Sequence, residues 1–264
     1  MEGAPHYSFS PSSTHMNSYE KAIYNIGSVL SRYDNHGLIP TWGFGAKKDS
    51  MVLHCFPCGD EVAVKGVQGV LNAYRQVFRT SLTMSYPTDL TEVINAASRY
   101  AQHEQVRFAS KLLRCYLINA MVLLTCIIQV MAEQDGDLSY TILFILTAGA
   151  ITNAEETKQV LASASDSPLS VVIVGIGDHD FSHMEYLDEH SPDEGGRDIT
   201  TFVRSDVHQH SSSLTEALLD QFPHQLVDFF IQRGIMPGQA VGIDEATVEV
   251  MGADDDDRTV NFLC

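Results

Sequence analysis

Basic residues are scarce in this chain: 16 Lys and Arg stand against 34 Asp and Glu, a formal net charge of −18. That deficit excludes non-specific binding to nucleic acid or to an anionic membrane, whose phosphates such a surface repels. There is no Gly-rich phosphate loop ending in Lys-Ser/Thr, and Gly175-Ile176-Gly177 is only a glycine pair after an apolar run. No Gly-x-Ser-x-Gly elbow occurs, so neither nucleotide hydrolysis nor serine-based acyl transfer is motivated. No basic-then-apolar signal segment follows Met1, and the five cysteines, Cys55, Cys58, Cys115, Cys126 and Cys264, are an odd number. The expectation is a reduced, cytoplasmic setting. Cys55-Phe-Pro-Cys58 has the spacing of a redox pair, but it follows a short strand rather than opening a helix. Two thiols are also too few for a closed zinc site. They read as ordinary thiols.

What the chain does have is a core: 44% of its 264 residues are hydrophobic, enough for one large domain. Tyr140–Ala150, YTILFILTAGA, reads as a buried strand that ends in small residues. Leu169–Ile176, LSVVIVGI, is a second, and Leu38–Phe44, Met51–Phe56 and Ile199–Val203 are weaker ones. Asn17 or Ser18 caps a helix to about Tyr33, with Tyr19, Ala22, Ile23 and Ile26 on one face. Another amphipathic helix runs from Val67 to Phe78. Asp89 with Glu92, and Asn153 with Glu156, mark two further helix starts. A closing helix spans Ser213 to about Arg233, with Pro223 expected to kink or divide it. Helices alternating with strands predict an α/β fold: a doubly wound, mostly parallel sheet with helices on both faces. From Gly238 to Cys264 the run Asp254–Asp257 predicts a disordered acidic tail.

One stretch stands apart. Tyr116–Ala132 carries no charged side chain, with Arg107, Lys111 and Arg114 before it and Glu133, Asp135 and Asp137 after. As a helix its 17 residues would reach about 25 Å, the lower limit for crossing a bilayer. The leading expectation is a long helix packed on the domain or on a partner, and the second is membrane contact.

Five landmarks carry a resemblance: Asn17-Ser18-Tyr19-Glu20-Lys21-Ala22-Ile23, Leu38–Ala46 (LIPTWGFGA), Tyr86-Pro87-Thr88-Asp89-Leu90, Leu169–Gly177 (LSVVIVGIG) and Phe222-Pro223-His224-Gln225-Leu226. In this order they resemble the von Willebrand factor A-type domain of copines; related plant RING-type ubiquitin ligases share the earlier ones. The resemblance covers Tyr7 to Pro237 apart from about 106–136, which reads as an apolar insertion. It implies residues 1–237 as a copine-like A domain and 238–264 as the tail. It lacks the C2 domains through which copines bind phospholipid, and it lacks a RING. The family's first strand, which lies between the strands at Leu38 and Tyr140, is missing too, so the fold is expected to be incomplete at its N-terminus. The insertion around Leu117–Met131 is the only apolar material positioned to cover that gap.

The resemblance also implies a metal-ion-dependent adhesion site built from three loops: an Asp-x-Ser/Thr-x-Ser/Asn cluster after the first strand, a threonine before a helix, and an aspartate after the next central strand. Thr88 matches the threonine, while Ala148 stands where the aspartate is expected. Gly3 lies just beyond the missing cluster, and Ser10, Ser12 and Ser13 have no acid ahead of them at the needed spacing. A single hydroxyl does not hold Mg²⁺ against water. Asp178, His179, Asp180 and His183 form the densest polar cluster elsewhere, but read as a loop leading into a short helix; His208 and His210 read as solvated. The expectation is therefore a non-catalytic protein-protein interaction module with a degenerate metal site, no metal, no cofactor and an unidentified protein partner. Two alternatives are a membrane-associated adaptor held by 116–132 and a truncated fragment without independent function.

Overall fold

The computed structural model describes residues 16–30, 37–59, 61, 63–106, 125–132, 138–189, 196–205 and 211–235. The helix at Asn17 forms as its sequence dictates: in α1 (Ser18–Leu30) the Asn17 Oδ1 accepts the Glu20 N–H at 2.8 Å, and Glu20 Oε2 accepts the Asn17 N–H at 2.8 Å. This reciprocal cap satisfies two backbone donors. The buried Glu20 also accepts from Arg75 Nε of α2 (Gly66–Val77) at 2.7 Å, which pins the two helices together. Helix α3 is Thr91–Val106, α4 is Ala154–Ala164 and α5 is Ser182–Asp188. Asn153 caps α4 through the Glu156 N–H at 3.1 Å. Helix α6 runs from Ser211–Gln232 with Pro223 inside it, so the helix is not divided.

Ten strands are present among the described residues: β1 (Leu38–Gly43), β2 (Ala46–Lys48), β3 (Met51–Leu53), β4 (Phe56–Pro57), β5 (Ala63–Lys65), β6 (Thr83–Met84), β7 (Thr125–Ala132), β8 (Leu138–Thr147), β9 (Leu169–Gly175) and β10 (Thr200–Arg204). The main sheet has the order β10-β9-β8-β7-β1-β4, with β5 also on β1; β3-β2-β6 form a separate small ribbon. Helices α1, α2 and α6 pack with one another, and α3, α4 and α5 form a second group. Between them lies a core in which all seven residues of β9 are buried.

The expectation of a mostly parallel sheet is overturned. Only β8 with β9 and β9 with β10 are parallel; β7 is antiparallel to β8 and to β1, β4 and β5 are antiparallel to β1, and the ribbon is antiparallel throughout. Connection length is the reason. A parallel step needs a crossover of about a dozen residues or more, and the segments carrying α4 and α5 supply it for β8 to β9 and β9 to β10. Strand β7 returns into β8 through a short connection, and β1 is followed by short returns. Such links force reversal.

The helix expected over 116–132 is also corrected in part: 116–124 lie outside the described residues, while Thr125–Ala132 is strand β7. Its sequence, TCIIQVMA, is rich in β-branched residues, which favour a pleated surface over a helix. Strand β7 lies between β1 and β8, the slot expected to be empty. It pairs with β8 over eight positions, from Thr125↔Ile145 to Ala132↔Leu138, and with β1 at Thr41↔Cys126 and Trp42↔Thr125. The sheet is closed by a strand running against its neighbour. The proposed tail, 238–264, lies outside the described residues.

At the other end of β8 a buried polar network ties the sheet to α6. Arg197 Nη1 donates to the Tyr140 hydroxyl at 2.8 Å and the Gln225 carbonyl at 3.0 Å, and Nη2 donates to the Ser167 and Leu169 carbonyls at 2.9 Å each. Its guanidinium also lies 5.2 Å from the Phe229 ring centre, a contact that offsets part of the cost of burying the charge.

If β7 is the strand that closes the sheet, Ile128→Pro removes a backbone donor in mid-strand and costs about 3 kcal/mol or more. Urea unfolding followed by circular dichroism is expected to show a correspondingly lower midpoint; an unchanged midpoint would show that the sheet does not depend on β7.

Candidate functional site

The loops that would carry the adhesion site do meet, at the carboxyl end of β8. Thr88 reaches this point from the loop before α3 and forms an isolated parallel bridge with Ile151. Its N–H donates to the Ala150 carbonyl at 3.4 Å, and its carbonyl accepts from the Thr152 N–H at 2.8 Å and the Thr152 hydroxyl at 3.1 Å. The buried Thr88 hydroxyl donates to the Ala150 carbonyl at 3.3 Å. Thr88 thus splices two loops. Asp89 beside it is equally committed: its Oδ1 accepts the Thr91 N–H at 2.8 Å and the Thr91 hydroxyl at 2.6 Å, which sets the start of α3.

Ala148 is half-buried in the facing loop and has no side-chain oxygen. Thr147 before it accepts the Gly149 N–H on its own hydroxyl at 3.1 Å. Gly149 has φ +115°, and a Cβ there would lie 2.5 Å from the Asp180 carbonyl. Gly45, at φ +69°, would place a Cβ 2.3 Å from the Thr88 methyl. Both positions need glycine because the loops press against each other. Sequence reasoning overlooked Tyr86, whose exposed hydroxyl accepts the Ala150 N–H at 3.2 Å and fastens the same loop from outside. The signal was available, since Tyr86 opens the Tyr86–Leu90 landmark.

The structure therefore brings Thr88 and Ala148 into neighbouring loops, as the resemblance implies, but gives them no carboxylate to share. Mg²⁺ takes an octahedral shell of oxygens and dehydrates reluctantly. These residues do not fit such an ion: the hydroxyl is turned to a carbonyl, Asp89 is locked to its helix, and Ala148 offers nothing. No group of three or more His, Cys, Asp or Glu that could hold a metal occurs among the described residues. Gly3, Ser10, Ser12 and Ser13 lie outside them.

The remaining candidates have local roles. Asp180 Oδ1 accepts the Ser182 N–H at 3.0 Å at the start of α5, and this bond holds its carboxyl below the usual range. Asp178 lies 3.9 Å from Arg204, fully exposed. His183 is exposed as well; His208 and His210 lie outside the described residues. Cys55 and Cys58 share no disulfide, and burial, then the Glu92 charge, pushes Cys55 up to about 11. A thiol held in its protonated form is no nucleophile at neutral pH.

A model of the copine family matches residues 7–119 and 117–238 of the chain. The chain belongs to the copine family. The two matched stretches meet inside the apolar segment. Among relatives, Protein BONZAI 2 of Arabidopsis thaliana is 33% identical over 235 residues, covering 84% of this chain and 35% of that protein. Protein BONZAI 1 of the same plant is 34% identical, covering 84% and 36%. Copine-B of Dictyostelium discoideum is 32% identical over 234 residues, covering 85% and 39%. This copine-family chain spans little more than a third of the length of these relatives.

Two measurements test the site. Calorimetric titration with Mg²⁺ or Mn²⁺ is expected to give no stoichiometric binding tighter than about 100 μM; a tighter site would contradict the reading of Thr88 and Ala148. At the far end of α5, Asp188 accepts the Phe202 N–H at 3.0 Å, and burial, reinforced by Asp198, pushes its carboxyl up to about 6. A carboxyl raised in the folded state favours folding at low pH, and that contribution is lost as pH climbs from about 4 through 6. Solvent still reaches the group, so Asp188→Asn is expected to gain only about 1 kcal/mol at pH 7 and nothing below pH 4. Thermal melts across that range check it.

Proposed function

We propose that this copine-family chain is a non-catalytic protein-interaction module whose contact with its partner does not run through a bridging metal ion. The observation that carries this reading is the pair of loops at the end of β8: the Thr88 hydroxyl donates to the Ala150 carbonyl, and Ala148 brings no carboxylate. A metal bridge needs oxygens free to complete an ion's shell, and the loops hold theirs against each other. Kinship with copines supports the interaction role, and the low-reactivity Cys55 thiol and the helix-bound Asp180 speak against chemistry at the two sites where acid-base or thiol work was conceivable. Cys55 and Cys58, which share no disulfide, agree with a reducing, cytoplasmic setting.

The net charge of −18 argues for a protein partner over nucleic acid. Among the described residues no helix is long and apolar enough to cross a membrane, and Thr125–Ala132 is engaged in the sheet. The interaction reading accordingly stands ahead of an anchored adaptor.

Capture of proteins from cell extract by the immobilised chain, with and without EDTA, tests the proposal. The same proteins are expected at the same recovery, within about twofold, in both conditions and with Ala148→Asp. Loss of capture on chelation would overturn it.

A further inference from the structure

Eight large apolar side chains are exposed among the described residues, and four of them, Met51, Val52, Met84 and Tyr86, lie on or beside the β3-β2-β6 ribbon. Their exposures are 67%, 38%, 37% and 67%. Cross-strand neighbours share a face. The pairs Lys48↔Met51, Ala46↔Leu53 and Ala46↔Met84 therefore put Met51, Met84 and Lys48 on one side. The ribbon is fixed to the emptied loops, since the Ser85 N–H donates to the Gly45 carbonyl at 2.9 Å and Tyr86 holds Ala150.

Strand β3 has a free edge: among the described residues it pairs with β2 alone. Asp49 and Ser50, at φ +48° and +73°, form the two-residue turn between β2 and β3. Residues flanking such a turn exchange both backbone bonds, and the next pair, Lys47↔Val52, exchanges none. The N–H and C=O of Val52 therefore point away from the sheet. A flat, apolar, unpaired strand is a template for another strand.

We propose that this edge docks an extended acidic-apolar segment of a partner protein, added to β3 as a further strand. The inference rests on the interaction-module reading and names its surface. Charge selects the occupant. Lys47 and Lys48 make no ion pair among the described residues, and they stand beside β3 in a chain whose net charge is −18. The lysines lie one strand in from the edge with Asp49 in the turn beside them, a local balance of one positive charge. Because salt screens charges beyond about 8 Å, that local balance counts for more at the edge than the remoter acids. A basic strand meets them unfavourably, and the same edge of a second copy would bring its own Lys47 and Lys48 toward them. Methionines suit the role because their flexible thioethers adapt to the side chains presented.

The probe is a fluorescein-labelled octapeptide of alternating valine and glutamate, titrated into the full chain by fluorescence anisotropy, with a valine-lysine octapeptide as control. Saturable binding of the glutamate peptide is expected, weakened at least about tenfold by Val52→Pro, which removes only the outward N–H, and by Met51→Asp. The paired substitution Lys47→Glu and Lys48→Glu is expected to reverse the preference between peptides. Equal binding to wild type and Val52→Pro, tighter binding of the lysine peptide to wild type, or self-association abolished by Val52→Pro would each overturn the inference. Where a proline variant melts early, Met51→Asp, at an exposed position, decides. Extract capture separates the two claims: unchanged metal-free capture by variants that have lost the peptide defeats the ribbon and spares the module, whereas peptide binding by a chain that captures nothing defeats the module alone.

Discussion

The structure depends on β8 having a strand on each edge. Its residues from Tyr140 to Thr147 are buried, so its backbone groups have no water to turn to, and each buried group left unpaired costs about 1–3 kcal/mol. Eight positions face β7. An open edge of that length would exceed the roughly 5–15 kcal/mol by which domains are stable. Because β7 fills it, β8 can hold α3 against its face and carry at its end the loops that meet Thr88. Direction matters less than coverage here: an antiparallel strand satisfies the ladder as completely as a parallel one.

Those loops keep a shared geometry without a set of oxygens that would hold an ion. The splice through Thr88, the turn at Gly149 and the tether from Tyr86 keep three segments in register, with the threonine still in place. What has changed is the recipient of its hydroxyl. The carbonyl of Ala150, one loop away, receives that bond, and the Asp89 carboxylate alongside serves the start of a helix. Geometry persists where the donor set does not. On the proposed reading, such a module holds its partner through side-chain area and backbone pairing, both of which tolerate a wider range of sequences than a bridging carboxylate does.

Much of this was legible in the chain. Asn17 or Ser18, and Asn153 with Glu156, announced their helices because capping is local chemistry, readable over four residues. Strands β8 and β9 were legible as uncharged β-branched and leucine-rich runs of the right length. Strand direction was not, since it follows from connections, and alternating elements look alike whether a link crosses over or folds back. Within the run 116–132, Thr125–Ala132 was misread because the lack of charge was weighed above the content of Thr125, Ile127, Ile128 and Val130. At the site, the residue types at 88 and 148 were legible and the bonding was not: that Thr88 faces the Ala150 carbonyl depends on contacts across 62 residues of sequence. Of the ribbon only the stretch at Met51 was read as a strand, because β2 and β6, with three and two residues, are shorter than any period.

The hairpin at the sheet's centre has a consequence for how the molecule assembles. A central strand drawn from a distant part of the chain must wait for a long loop to close, and that loss of chain entropy slows folding. Here the central pair is β7 and β8, neighbours in sequence, and such hairpins form in about 1–10 μs. The innermost ladder is therefore also the most local one, and β9 and β1 add to an edge that already exists. Locality favours assembly outward from the middle.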